Sequence, residues 1–260
     1  MADPKTVAAK LTAQFHTKFG DELQSVVVFG SVSRGESIPG VSDLNMLVLL
    51  ESMALPTLER AAPLLHDWIR QGNTPPHMYA AGEWAGMTDT FTIEIADMID
   101  ARDVLWGSDP VSGEPMDYAD LRRQVEREIR DTLLQLRLRL MVNARHPKEI
   151  GALLLSGFPS FTAFMRSTLR LAGEAPGLET RSVIERTAAL IGADPITMLR
   201  CWDSRRLRRH LALTLTDPMV EGYFGFVDRL LAHVDGLPAT SHGKSNGHAP
   251  AMSSSEGAAL

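Results

Sequence analysis

Hydrophobic positions change their period once along this chain, near residue 110. Before that point, short apolar runs alternate with helical patterns. Val7, Leu11, Phe15 and Phe19 follow at four-residue steps behind Asp3-Pro4, which predicts a helix capped by Asp3 and stopped at Gly20. Strands are predicted over about 25–29 and 44–50, the second so continuously apolar that both of its faces should be buried. Leu58, Leu65 and Ile69, with Leu55, Ala62 and Trp68, predict a helix ending near Gly72, with Pro63 kinking it or delaying its start. Pro75-Pro76 forces an extended entry into a short strand at 77–79, and Glu83-Trp84 fits a single helical turn. Phe91 to Ala96 alternates, which predicts a strand with Glu94 on its less apolar face. Residues 104–107 predict one more short strand.

A Gly- and Pro-rich stretch, Ser108 to Asp117, reads as a boundary. Beyond it the period is helical. Leu121, Val125, Ile129, Leu133, Leu136 and Leu140 form one long stripe. Pro147 opens a second helix through Leu171, bent at Gly157-Phe158-Pro159. Shorter helices follow near 180–191, 195–212 and 217–236, and no strand signal interrupts them. The expected class is therefore α+β: a small mixed β-sheet domain over 1–110, an all-α helical bundle over 117–237, and a disordered tail over 238–260, rich in Ser, Gly, Ala and His.

Composition narrows the function classes. Of 260 residues, 44% are hydrophobic and 22% charged, the ordinary range for a soluble globular protein. A net charge of −6 argues against a sequence-blind nucleic-acid footprint. The single cysteine, Cys201, fits a reducing compartment. No signal-peptide run and no membrane-length apolar segment is present, so a cytoplasmic location is expected.

Candidate chemistry lies between the first two strands. Val26 to Phe29 leads into Gly30-Ser31, and Arg34 follows; Ser42-Asp43-Leu44-Asn45 then opens the second strand. A glycine turn after a strand lets backbone N–H groups approach phosphate, and Arg34 adds a charge-assisted bond. Positions two apart on a strand face the same way, so Asp43 and Asn45 point together as hard oxygen donors for magnesium. Glu94 is the expected third ligand from a neighbouring strand. Each part has an ordinary reading as a turn, a cap or a surface carboxylate; the combination is more specific.

Gly30-Ser31-Val32-Ser33-Arg34-Gly35 through Ser42-Asp43-Leu44-Asn45 resembles the signature of the DNA polymerase β-like nucleotidyltransferase superfamily. Over about residues 20 to 175, the chain is similar to a predicted bacterial nucleotidyltransferase family with a helical C-terminal half. Leu121-Arg122-Arg123-Gln124-Val125-Glu126 and Phe91 to Met98 carry the rest of that likeness. The resemblance implies phosphate binding at Gly30 and Ser31 and metal carboxylates at Asp43 and Glu94. Asp97 is an alternative to Glu94, on the opposite face of a regular strand. Asn45 stands where the pattern has a second carboxylate. It offers a neutral oxygen, which predicts a slow enzyme, a one-metal enzyme, or a binder without turnover.

The implied function is Mg2+-dependent transfer of a nucleoside monophosphate from a nucleoside triphosphate to a hydroxyl of a small molecule or protein. The alternative is a weak or inactive nucleotide-binding regulatory module, akin to antitoxin-like relatives, with a protein partner. Arg122, Glu126, Arg130 and Arg137 form a polar helical stripe. Facing a cleft, it would offer Glu126 as general base; otherwise it is a solvated face of i,i+4 pairs. Arg205-Arg206 and Arg208-Arg209 suggest a solvent face or an acidic partner. His146 lacks a zinc-spaced companion. Trp84, Trp106 and Trp202 read as core, and His242 and His248 are too far apart for a site.

Overall fold

The computed structural model describes residues 3–84, 86–87, 89–113 and 116–238. The tail expected at 238–260 lies outside these apart from its first residue. A small four-stranded mixed sheet is followed by a helical half. The strands are β1 (Leu23–Phe29), β2 (Asn45–Leu50), β3 (His77–Ala80) and β4 (Arg102–Gly107), in the spatial order β3-β2-β1-β4. β1 runs antiparallel to β2 and β4, and β2 runs parallel to β3. The register pairs Phe29 with Asn45, so the turn at Gly30 sits beside the start of β2.

Side-chain alternation sorts the sheet into two apolar layers. Val26, Val28, Met46, Val48 and Leu50 meet α1 (Pro4–Phe19) and α2 (Leu55–Arg70). Val27, Phe29, Leu47 and Leu49 meet Trp84 of α3 (Ala81–Trp84) and Ile95 and Met98 of α4 (Thr92–Asp100). At the start of α1, Asp3 accepts from the Thr6 N–H at 3.1 Å, as a capping carboxylate should. In α2 the buried residues are Thr57, Ala61 and Trp68. Leu55, Leu58 and Ile69, expected to form the buried stripe, are exposed. The face of α2 is set by the indole of Trp68, whose Nε1 donates to the Thr74 carbonyl at 2.7 Å.

Thr92–Asp100 is helical, not a strand. The helix is buried on two faces. Ile93 and Ala96 enter the core of the helical half, while Ile95 and Met98 enter the layer beneath the sheet. Apolar residues on both sides of a helix give a pattern that a period of two also fits.

The helical half comprises α5 (Tyr118–Val142), α6 (Pro147–Leu171), α7 (Thr180–Ile191), α8 (Ile196–Arg206) and α9 (Pro218–Asp235). The whole α5 stripe, Leu121 to Leu140, is buried. Helix α6 is continuous through Pro159. Helix α8 stops at Arg206, earlier than expected, and Arg208 beyond it has φ +50°. Among the described residues, no helix is long and apolar enough to cross a membrane.

Candidate functional site

The loop between β1 and β2 folds tightly over the sheet end. Gly30 has φ +79°, a conformation open to glycine at little cost. Arg34 N–H donates to the Gly30 carbonyl at 3.1 Å and Glu36 N–H to the Ser31 carbonyl at 2.9 Å. The Ser33 hydroxyl reaches back to the Val28 carbonyl at 2.9 Å. A Cβ on Gly30 would lie 3.0 Å from Asn45 Nδ2 and 3.5 Å from Asp97 Oδ2. The turn, Asn45 and Asp97 therefore converge on one spot.

A cleft of about 160 Å³ opens there, between the sheet half and the helical half. Ser31, Arg34, Glu36, Ser42, Asp43, Asn45 and Asp97 form one wall; Phe158, Pro159, Thr162, Thr180, Trp202 and Arg205 belong to the other. Arg34 Nη1 bonds Asp97 Oδ1 at 2.5 Å. Asp43 is exposed at the rim and accepts from the Thr74 hydroxyl at 3.1 Å.

Glu94 does not line this cleft. Its Oε2 accepts from Gln124 Nε2 of α5 at 3.3 Å. Gln124 Oε1 in turn takes the Thr92 hydroxyl at 2.7 Å and the Ile93 N–H at 2.9 Å. Gln124 thus satisfies an orphan N–H at the first turn of α4, and Glu94 holds that amide in place. With α4 helical, the carboxylate brought to the Gly30 turn is Asp97. Glu126 also lies away from the cleft. It takes Arg122 Nη1 at 3.2 Å and Arg130 Nη2 at 2.8 Å on the α5 surface next to α9, where Arg130 also meets Asp235 at 3.4 Å. The polar stripe is a paired face, with no general base for the cleft.

Three contributors were missed or ranked too low by sequence. Asp97 was only the alternative to Glu94, because an assumed strand put it on the opposite face. Trp202 is buried yet lines the cleft, its ring 6.3 Å from that of Phe158 and nearly parallel to it. Arg205 was read as part of a solvent-facing basic cluster, and its spacing held no signal for a place in the cleft wall. Of the remaining tryptophans, Trp84 is core and donates to the Pro110 carbonyl at 3.1 Å. Trp106, expected in the core, is 38% exposed on edge strand β4, against His16.

The electrostatics behind the cleft are arginine-rich. Arg166 of α6 is buried and donates to the carbonyls of Gly177 and of Leu178, the latter at 2.8 Å. Burial, reinforced by nearby Arg34, pulls its pKa down to about 10, so it stays charged at neutral pH. Arg170 pairs with Asp100, and burial lowers its pKa too.

No protein-family model matches the chain, and no curated protein matches it. Among solved structures, the chain is similar to spectinomycin adenyltransferase AAD(9) from Enterococcus faecialis, solved with ATP and spectinomycin. The TM-score is 0.53 at 13% identity, over 86% of this chain and 98% of that one. The likeness is one of fold. It spans both the sheet and the helical half, so the pairing of a small mixed sheet with a helical bundle is shared.

As for a metal, Asp97 Oδ2 and the Asn45 amide meet at the turn, with the amide nitrogen the Asn45 atom nearest Gly30, and Asp43 lines the same cleft at its rim. Among the described residues there is no cluster of three acidic, histidine or cysteine side chains. The donor chemistry suits at most one hard cation, since Asn45 is neutral and Asp97 is already paired with Arg34.

Proposed function

We propose that this chain is a nucleotidyltransferase-like protein that binds a nucleoside triphosphate across the cleft. The carrying observation is the convergence of the Gly30 turn, Asn45 and Asp97 on one point, opposite an apolar wall. The backbone of Gly30-Ser31 would hold phosphate oxygens, and Arg34 would add charge. The shared fold with an adenyltransferase solved with ATP supports the same reading.

The reaction proposed is attack by an acceptor hydroxyl oxygen on the α-phosphorus. The bond from that phosphorus to the bridging oxygen breaks, pyrophosphate leaves with the electron pair, and the hydroxyl proton is lost to solvent. Asp43, the Asn45 oxygen and Asp97 would hold one Mg2+, whose contribution would be to offset the charge that develops on the leaving pyrophosphate during transfer. The cleft encloses less than the roughly 300 Å³ of a typical small-molecule site, so in this reading it takes the phosphates. The acceptor, a hydroxyl-bearing small molecule or a protein, approaches from the mouth.

The test is pyrophosphate release and label transfer from α-labelled triphosphates, with Mg2+ or Mn2+ and a cell extract as acceptor source. Activity above an Asp43→Ala control supports the enzyme. A second reading, a nucleotide-binding regulatory module without turnover, is favoured by Asn45 and by the Arg34–Asp97 pair. Losing one preorganised electrostatic group costs about 10²–10³ in rate. Asn45→Asp separates the two readings: a gain of that order marks a lapsed enzyme, and binding without turnover in both forms marks the regulatory module.

A further inference from the structure

The charges around the cleft are mostly in direct contact with one another, and two charged side chains there have no ion pair among the described residues. Asp97 is held by Arg34 at 2.5 Å. Glu36 is fully engaged by α7: its oxygens take the Thr180 N–H at 2.9 and 3.1 Å and the Thr180 hydroxyl at 2.6 Å, with Arg166 Nη2 at 3.7 Å. Asn45 brings no charge. Asp43 is one of those two, accepting only from the Thr74 hydroxyl; the other is Arg205, whose charged form burial disfavours and the Asp43 charge favours. Arg205 lines the cleft, forms no ion pair among the described residues, and its one hydrogen bond there goes to the neutral Leu155 carbonyl, at 2.5 Å.

The reason for that bond lies in α6. Pro159, four residues after Leu155, has no N–H, so the Leu155 carbonyl loses its helical donor. Arg205 Nη1 donates in its place. The tether fixes the guanidinium at the cleft wall and leaves its other donors unengaged. Arg34, nine-tenths buried on the opposite wall, also has an Nε–H without a partner.

A pocket of three free carboxylates repels a polyanion until cations fill it. This cleft has one exposed carboxylate, Asp43, and fixed guanidinium donors on both walls. We propose that triphosphate affinity here is set by Arg205 and Arg34 and is independent of divalent cation, any ion acting on transfer alone. The proposal rests on the nucleotide-binding reading above.

The experiment is calorimetric titration of the full chain with α,β-methylene-ATP, once in Mg2+ and once in EDTA. The two dissociation constants are expected within about fivefold of each other. Arg205→Gln, which removes the charge and keeps a polar amide, is expected to weaken binding about tenfold in both buffers. Asn45→Asp is expected to create an ion requirement, with EDTA weakening that variant by about tenfold or more. Wild-type affinity that drops more than fivefold in EDTA overturns the ion independence and leaves the nucleotide reading standing. Binding by Arg205→Gln equal to wild type overturns the role given to Arg205. No binding in either buffer removes both readings. If Arg205→Gln does not fold, the two wild-type titrations decide the question.

Discussion

The two walls of the cleft are built by opposite means. The sheet-side wall comes mainly from one continuous segment, Ser31 to Asn45, joined by Asp97 of α4. Most of its polar groups answer one another, Arg34 with Asp97 and the Ser42 hydroxyl with the Ile38 N–H at 2.9 Å, while Glu36 reaches across to Thr180. The helical wall draws Phe158, Pro159 and Thr162 from α6, Thr180 from α7, and Trp202 and Arg205 from α8. It is mostly apolar, with one cation held by a backbone carbonyl. A local segment suffices to cradle phosphate with backbone groups. A wall assembled from separate helices can change its chemistry without touching the segment from Ser31 to Asn45.

The largest test of this contrast is Arg166, which stands behind both walls. Arg166→Ala leaves Glu36 without its buried cation and two loop carbonyls without their donor. It should cost about 3–5 kcal/mol of stability, measured by urea unfolding. A loss below 1 kcal/mol would mean the two walls are not joined through this residue.

Gly30→Ala tests the cradle alone. The residue has φ +79°, and the new Cβ would press on Asn45. The expected cost is about 1–2 kcal/mol, with the helical half's far-UV signal unchanged.

Cys201 tests the packing of the helical wall from behind. Burial pushes its thiol up to about 12 from the usual 9.0. Between those values the unfolded chain binds fewer protons than the folded one. Stability from this group is therefore complete below pH 9.0 and falls as pH rises toward 12, by about 1 kcal/mol at pH 10. Cys201→Ser should remove that slope, and the native thiol should resist a disulfide reagent at pH 8 until the protein is unfolded.

Glu94→Gln is the mildest. Glu94 braces Gln124 and does not face the cleft, so the change should shift stability by less than about 0.5 kcal/mol and leave triphosphate affinity intact. A loss of binding on the scale of an Asp97→Asn variant would return Glu94 to the site.

The difference between the walls also explains what could be read from the chain. All four strands, the long stripes of α1 and α5 and the Gly30-Ser31 turn rest on local patterns, and they stand where those patterns put them. The element misread was α4. Its burial between two cores erased the one-sided stripe by which a helix is known, and that error carried Glu94 into the site in place of Asp97. Arg205 and Trp202 were out of reach for another reason. Only the tertiary meeting of α6 and α8 turns a basic run beside a tryptophan into a cleft wall, and no spacing along α8 encodes which of its arginines finds the Leu155 carbonyl.

The bond from Glu36 to the start of α7 bears on how ligands come and go. Many two-lobed proteins admit their cargo by swinging about a hinge. Here such a swing would tear Glu36 from Thr180 and strand Arg166 in a dry seam. Opening of the cleft at this seam therefore carries the cost of those bonds and of a buried guanidinium left without its carboxylate.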